Sequence, residues 1–267
     1  MIGPAPAKIN LALVVGPVRE DGKHEVLTVF QRVSLCDRIQ VEPAQSTTIR
    51  GFPDDTLVRR ALDALDGSRG WHVTIDKRIP IAAGLGGGSS DAATALRLAS
   101  AQLAEPIGAD RLHRLASTIG ADVPFFLADG PQLGSGDGTD LEPLDLPQDF
   151  AVLLVVPRGA PKTSTADVYA AFDARAGAEG FEDRAAALHS ALHAVRRPRD
   201  LAELPANDLA SSPLAERLLK LGAFRADISG AGPTVYGLFH NRAVARAALR
   251  ELRGAGRGWV VVPAWYG

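Results

Sequence analysis

The chain has 267 residues, 46% of them hydrophobic, and a formal net charge of −2; that is enough for one large domain or two modest ones, with no basic surplus for nucleic acid and no acidic tail. A single cysteine, Cys36, excludes an internal disulfide framework and fits a reducing compartment. No apolar run reaches the roughly 18 residues that cross a bilayer, and Lys8 and Asn10 interrupt the apolar stretch near the start, so the expectation is a cytoplasmic protein without membrane or nucleic-acid partners.

In chain order, Ile9, Leu11, Leu13 and Val15 alternate with Lys8, Asn10, Ala12 and Val14, which predicts a strand with Lys8 and Asn10 on one face. Arg19 to His24 is a turn. Glu25 to Val33 and Arg38 to Pro43 read as two further strands in antiparallel pairing. Pro53 to Asp66 switches to helical spacing, and residues 71–79 return to a strand. A helix is expected from Ala92 to about Leu103 and a short one over Arg111 to Ile119. Gly130 to Gly138 reads as a turn-rich connection, and Phe150 to Val156 as a buried strand.

Helical stretches follow at 166–175, 182–195 and 213–221, then strands at Ala226–Ser229 and Thr234–His240, a helix over Ala243–Leu252 and a last strand at Trp259–Ala264. The pattern is a mixed α+β protein with antiparallel pairing, and a boundary falls near residue 150. Residues 157–165 read as an ordered loop or a mobile lid. Trp259, Trp265 and Tyr266 suit either core packing or a contact surface, and core packing is expected.

The densest signal is Pro80 to Ala93, where four of the five residues 84–88 are glycine and two serines follow. Glycines let the backbone curl so that several N–H groups point at one place. The helix behind them adds free N–H groups and a positive dipole end, a combination that suits a phosphate. A tight connection without a ligand fits the same residues. No Gly-Lys-Ser/Thr follows, so this is not a P-loop, and the βαβ setting of a dinucleotide site is absent. Asp122, ahead of Val123-Pro124, suits a helix cap. Asp91 is too near a bound phosphate to be favourable unless it points away, caps the helix or meets a cation.

Taken together, Pro6-Ala7-Lys8-Ile9-Asn10-Leu11, Arg19 to His24, Pro80 to Ala93, Gly120 to Phe126, Asn207-Asp208-Leu209 and Ser229 to Val235 resemble the GHMP small-molecule kinases over nearly the whole chain. The resemblance implies a two-lobed α+β GHMP kinase fold of mixed, antiparallel-rich sheets with helices. Residues 1–150 would form the nucleotide-binding lobe and 151–267 the substrate-side lobe. It implies ATP and Mg²⁺ as cofactors, and phosphorylation of the tertiary 2-hydroxyl of a methylerythritol linked to cytidine diphosphate. Other GHMP acceptors (a sugar alcohol, homoserine or a mevalonate-like acid) and a non-catalytic nucleotide-binding protein are the alternatives.

On the same resemblance, Lys8 and Asp122 are catalytic. Lys77, Gly84, Leu85, Gly86, Gly87, Gly88, Ser89 and Ser90 hold the nucleotide. Asn10, Lys23, His24, Thr165, Tyr169, Gly230 and Gly232 hold the substrate. No protein carboxylate is expected to bind the metal, and Asp91 is structural. Oligomeric state stays open between monomer and homodimer. Four positions depart from the family pattern: Lys23 stands where a tyrosine is usual, Thr56 where an asparagine often lies near adenine, and Ala82 and Ala83 where glycines are usual. The alanines matter little unless φ must be positive there.

Overall fold

The computed structural model describes residues 1–52, 55–159 and 163–264. Its spine is a long antiparallel hairpin of β1 (Ile2–Val18) and β2 (His24–Ala44). The two expected strands at 25–33 and 38–43 are one strand. Pro6 faces Cys36 while Ala7 faces Val33, so the polar break at 34–37 is absorbed as a bulge and no turn forms.

A second irregularity, between Asn10 and Ala12, changes the phase of β1. Ile9 and Leu11 share a core with Ala12 and Val14, whereas Leu13 and Val15 pack into a different cluster. Strict alternation therefore fails beyond Asn10, because one extra residue flips every later side chain. Lys8 and Asn10 lie between the two bulges, in a short register of their own opposite Arg32 and Phe30.

Among the described residues, six strands form the first sheet. It runs β3 (Thr48–Arg50), β4 (Gly70–Asp76), β2, β5 (Gln132–Ser135), β6 (Asp140–Pro143), with β1 paired to β2. The expected connection at 130–138 thus contains an added strand, β5, short enough to be hidden by its glycines. β4 stops at Asp76 and not at 79, because the N–H groups of Arg78 and Ile79 turn to the Asp37 carboxylate (2.5 and 2.8 Å).

Helices α1 (Thr56–Asp66), α2 (Gly87–Ser100) and α3 (Ala109–Ile119) cover one side of this sheet. Asp55 caps α1 through the Val58 N–H (2.8 Å), and Val58, Ala61, Leu62 and Leu65 form its buried stripe. In α2 nearly every residue from Ser90 to Ser100 is buried, and its alanines allow close packing against α1 and the hairpin.

The second sheet, in the order β10 (Gly256–Val261), β7 (Ala151–Pro157), β9 (Val235–Phe239), β8 (Arg225–Ile228), is antiparallel throughout. One of its faces packs with β1 and α5 (Phe181–Ala194), the other with α6 (Pro213–Lys220) and α7 (Arg242–Glu251). Helix α4 (Thr165–Ala174) starts from Ser164 through a capping box with Asp167. The expected start of α1 at Pro53, part of the 157–165 segment, and Trp265 and Tyr266 lie outside the described residues. Trp259 packs on the core beside β1, as expected. No helix among the described residues is long and apolar enough to cross a membrane.

Candidate active site

The two glycine turns meet. Gly84 and Gly86 have φ of +74° and +67°, and Gly230 and Gly232 of +57° and +81°. A Cβ on Gly84 would lie 2.3 Å from the Ser229 carbonyl oxygen, and one on Gly86 would lie 2.9 Å from the Phe126 ring and 3.0 Å from Lys8 Cγ. Neither position tolerates a side chain, which is why glycine is needed there. Buried Ser229 donates its hydroxyl to the Gly84 carbonyl (2.8 Å), and Lys8 N–H donates to the Leu85 carbonyl (2.9 Å). Gly86 is the left-handed N-cap of α2, so the first-turn N–H groups of that helix open beside Lys8.

Around this junction lies a cavity of about 860 Å³. Lys8, Asn10, Lys23, His24, Gly84, Gly86, Ser89, Asp122, Thr165, Tyr169, Gly230 and Gly232 all border it. Those are the expected catalytic pair, all the expected substrate residues and part of the nucleotide loop.

At its centre the Lys8 ammonium, 3% exposed, donates to Asn10 Oδ1 (2.7 Å) and lies 3.3 Å from Asp122 Oδ2. Asn10 Nδ2 donates to the Thr28 hydroxyl (2.8 Å), which donates to the Ala12 carbonyl (2.8 Å). This chain of buried bonds fixes Asn10 with its oxygen toward Lys8, and Thr28 carries it without having been picked out as a site residue. Asp122 caps nothing. The short 3-10 helix Pro124–Leu127 has Val123 at its N-cap and no side-chain cap, so the carboxylate is left to Lys8 and the cavity.

Five expected residues stand apart from the cavity wall. Leu85 is core. Ser90 is fully buried, its hydroxyl unpartnered and its N–H bonded to the Gly86 carbonyl (2.9 Å), while Ser89 keeps the cavity side. Gly87 and Gly88 belong to the first turn of α2, with Lys77 Nζ 3.1 Å from where a Gly87 Cβ would sit.

Lys77 donates to both Asp37 (2.7 Å) and Asp91 (2.6 Å), two carboxylates with fully buried side chains. Asp91 therefore meets a cation, as its expected structural role requires. Asp37 had no signal in the sequence, where it falls in the break between two expected strands; the structure places it inside β2. Burial pushes the Asp91 carboxyl up to about 8, with Lys77 opposing and Asp37 adding. Burial works against the Lys77 ammonium, but Asp91 and Asp37 raise it overall.

On the far side, the His24 ring lies 4.9 Å from the Tyr169 ring at 30° and meets Phe172 edge-on at 5.8 Å. His24 Nδ1 faces the Gly16 carbonyl at 2.8 Å and must carry the proton there; Nε2 lies 3.4 Å from Asp173. Burial, with Asp122 adding, pushes the Tyr169 phenol up to about 12, so it stays protonated. Lys23, half exposed, pairs with Asp137 at 2.5 Å. Burial works against the Asp137 carboxylate, yet Lys23 and Thr139 hold it below the usual range. Ala82 has φ of +52°, so the condition under which alanine matters is met at that position and not at Ala83.

Residues 56–130 match the model of the GHMP kinases N-terminal domain, and residues 188–258 that of the GHMP kinases C-terminal domain. A 4-diphosphocytidyl-2-C-methyl-D-erythritol kinase of Citrifermentans bemidjiense is 38% identical over 96% of this chain and 95% of its own. One of Deinococcus radiodurans is 38% identical over 97% and 91%. A crystal structure of 4-(cytidine 5'-diphospho)-2C-methyl-D-erythritol kinase superposes with a TM-score of 0.77, at 33% identity, over 99% of this chain and all of the other. A mevalonate kinase structure shares the fold at 15% identity, with a TM-score of 0.71 over 98% and 99%. With the α+β fold, both halves' domain models and close relatives along nearly its whole length, this chain belongs to the GHMP kinase family of ATP-dependent small-molecule kinases.

Proposed function

We propose that the protein transfers the γ-phosphoryl group of ATP to the 2-hydroxyl of 4-diphosphocytidyl-2-C-methyl-D-erythritol, a step of non-mevalonate isoprenoid synthesis. The observation that carries this is the Lys8–Asp122 pair at 3.3 Å. It lies in the cavity bordered by both glycine turns on one side and by the His24–Tyr169 stack on the other.

Residues 1–150 form the nucleotide-binding lobe in this reading and 151–267 the substrate-side lobe. The loop at 84–89 and the first turn of α2 cradle the triphosphate with backbone N–H groups, and the Ser89 hydroxyl adds a donor. Two features fit a bound phosphate: the left-handed Gly86 cap and a loop surface that a Cβ would obstruct. Leu85 and Ser90 contribute through the backbone and the helix. Lys77 acts from beneath the first turn. Among the described residues no group of three or more His, Cys, Asp or Glu is placed to hold a metal. Mg²⁺ would be held mainly through the nucleotide's phosphates and water, with Ser89 the serine of the loop on the cavity side, and would supply positive charge at the transferring oxygens.

Asn10, anchored by Thr28, sets the Lys8 ammonium toward the accepting oxygen. Lys8 lowers the cost of alkoxide character and of charge on the phosphoryl group. Asp122 orients the tertiary hydroxyl and accepts its proton as transfer proceeds. His24, with Nδ1–H committed to Gly16, offers Nε2 to the cytosine amino group. Tyr169 supplies apolar surface beside it, and Thr165, at the start of α4, a hydroxyl. Gly230 and Gly232 let the backbone approach the acceptor.

The test is turnover by the purified protein with Mg-ATP, followed by ADP release and product mass. Phosphorylation of the cytidyl-linked substrate well above that of homoserine or mevalonate is expected. Comparable rates on homoserine, or none on the cytidyl substrate, would favour another acceptor, and Lys23, a cation without an aromatic face in the base-side wall, is where that difference would originate.

A further inference from the structure

Asn207-Asp208-Leu209 carries a dense set of bonds that the reaction as described does not use. The segment runs beside β1 through a parallel bridge from Asn207 to Leu13. Asn207 is buried. Its Nδ2 donates to the carbonyls of Ile228 (2.9 Å) and Gly230 (2.7 Å), its Oδ1 accepts from the Leu209 N–H (2.8 Å), and its own N–H donates to Asp227 (2.9 Å). The Asp208 N–H donates to the Leu13 carbonyl (2.9 Å), and its carboxylate accepts from the Val15 N–H (2.9 Å) and Arg184 Nε (3.0 Å). Leu209 packs with Leu13, Val15, Val26 and Phe172, and Tyr169 and Ala231 lie against that cluster.

Three pieces of the acceptor side are therefore joined at one place: β1 with Lys8 and Asn10, the second glycine turn, and α4 with Tyr169. The grip falls next to the reactive pair. A Cβ on Gly230 would sit 3.4 Å from both Asn10 Oδ1 and Lys8 Nζ, and the Gly230 carbonyl is one of the two that Asn207 holds. A side-chain amide suits the task because two carbonyls need two N–H donors while the Leu209 N–H needs an acceptor.

We infer that Asn207 and Asp208 are positioning residues for the phosphoryl acceptor, holding the Gly230 turn and α4 in register with Lys8 and Asn10. The inference rests on the acceptor reading above and goes beyond it by assigning the geometry of that half to residues that touch neither substrate. The nucleotide loop touches this turn through the Ser229 hydroxyl on the Gly84 carbonyl, but it also has anchors outside the Asn207 grip, in the Lys8 N–H on the Leu85 carbonyl and in Lys77 on Asp91 of α2.

The experiment compares wild type, Asn207→Asp, Asn207→Ser and Asp208→Asn in kcat, acceptor KM, ATP Kd and thermal unfolding. Asn207→Asp keeps the acceptor for Leu209 but turns a second oxygen on two carbonyls. It is expected to raise acceptor KM and lower kcat by about tenfold each, with ATP Kd within about twofold of wild type. Asn207→Ser, which retains one donor, should fall between. Asp208→Asn should move the same two constants by about threefold, since one oxygen still serves Val15.

A merely structural segment would lower the active fraction, reducing kcat with acceptor KM unchanged, or would weaken ATP and acceptor together. Either result overturns the inference, as does loss of the fold in both Asn207→Asp and Asp208→Asn. Absence of turnover in the wild type is a separate result, visible before any variant is made, that overturns the acceptor reading and this inference with it.

Discussion

Replacing Asp122 by asparagine removes one negative charge and little else. Lys8 keeps Asn10 Oδ1 at 2.7 Å, and the new amide oxygen can still accept from the ammonium. At 3.3 Å and an effective dielectric near 20, the lost attraction is about 5 kcal/mol before solvent screening. Asp122 is 34% exposed, however, so its net effect on folding is on the order of 1 kcal/mol. The effect on turnover is larger. A positioned acid or base contributes about 10²- to 10⁴-fold, which is about 3–5 kcal/mol of barrier. A loose phosphoryl transition state needs the proton removed late and draws on the lower end of that range. Asp122→Asn should therefore lower kcat at least about a hundredfold, leave ATP affinity unchanged or slightly tighter, and leave the protein folded. Steady-state kinetics with the cytidyl-linked acceptor, ATP titration and a thermal melt read all three. A kcat within about threefold of wild type, far short of the contribution expected of a positioned base, would refute the placement of Asp122 against the reacting hydroxyl.

Gly86→Ala puts a Cβ 2.9 Å from the Phe126 ring at a φ of +67°. It should weaken ATP by about tenfold or more and destabilise the protein by about 1–2 kcal/mol, and unchanged ATP affinity in a calorimetric titration would count against the loop as a phosphate cradle. The Asp91 carboxyl is raised to about 8 in the folded protein from an ordinary 3.8, so the folded state holds the extra proton across that interval. That stabilisation is complete below the unfolded value and is lost as pH rises through the folded one. Asp91→Asn should accordingly give a melting temperature that falls less steeply from pH 6 to pH 9 than wild type, about the range below and above the raised value, and parallel curves would contradict it. Lys23→Tyr supplies a stacking face beside His24 and Tyr169 and frees Asp137. It should tighten binding of the cytidyl-linked substrate by about 1–3 kcal/mol, whereas unchanged affinity would mean that this wall does not touch the base.

The features most legible in the sequence are those whose backbone chemistry is local. Gly84 and Gly86 announce a left-handed turn into a helix, and α2 begins where they end. Lys8 and Asn10, two apart on a strand, share a face and hydrogen-bond to one another. The α+β class followed from the order of periodicities, and the GHMP resemblance brought Lys8, Asp122, His24 and Tyr169 to one cavity across widely separated segments.

What stayed hidden depends on partners far along the chain. Thr28 looks like any strand threonine until the hairpin register sets it beside Asn10. Asp37 is indistinguishable from a surface aspartate until β2 brings it to Lys77 and the turning N–H groups of Arg78 and Ile79. The bulges in β1 have no residue signature, and they decide that Leu13 and Val15 leave the core that Ile9 and Leu11 enter. Ser90 follows Ser89 in sequence but faces the interior, since consecutive residues of a helix point about 100° apart.

The most direct test of the account is a crystal structure with a non-hydrolysable ATP analogue and the cytidyl-linked acceptor bound together. The triphosphate is expected over residues 84–89, the cytosine against His24 and Tyr169, and the 2-hydroxyl within about 3 Å of both the Asp122 carboxylate and the Lys8 ammonium. An acceptor hydroxyl held elsewhere, with Lys8 and Asp122 paired only to each other, would contradict it.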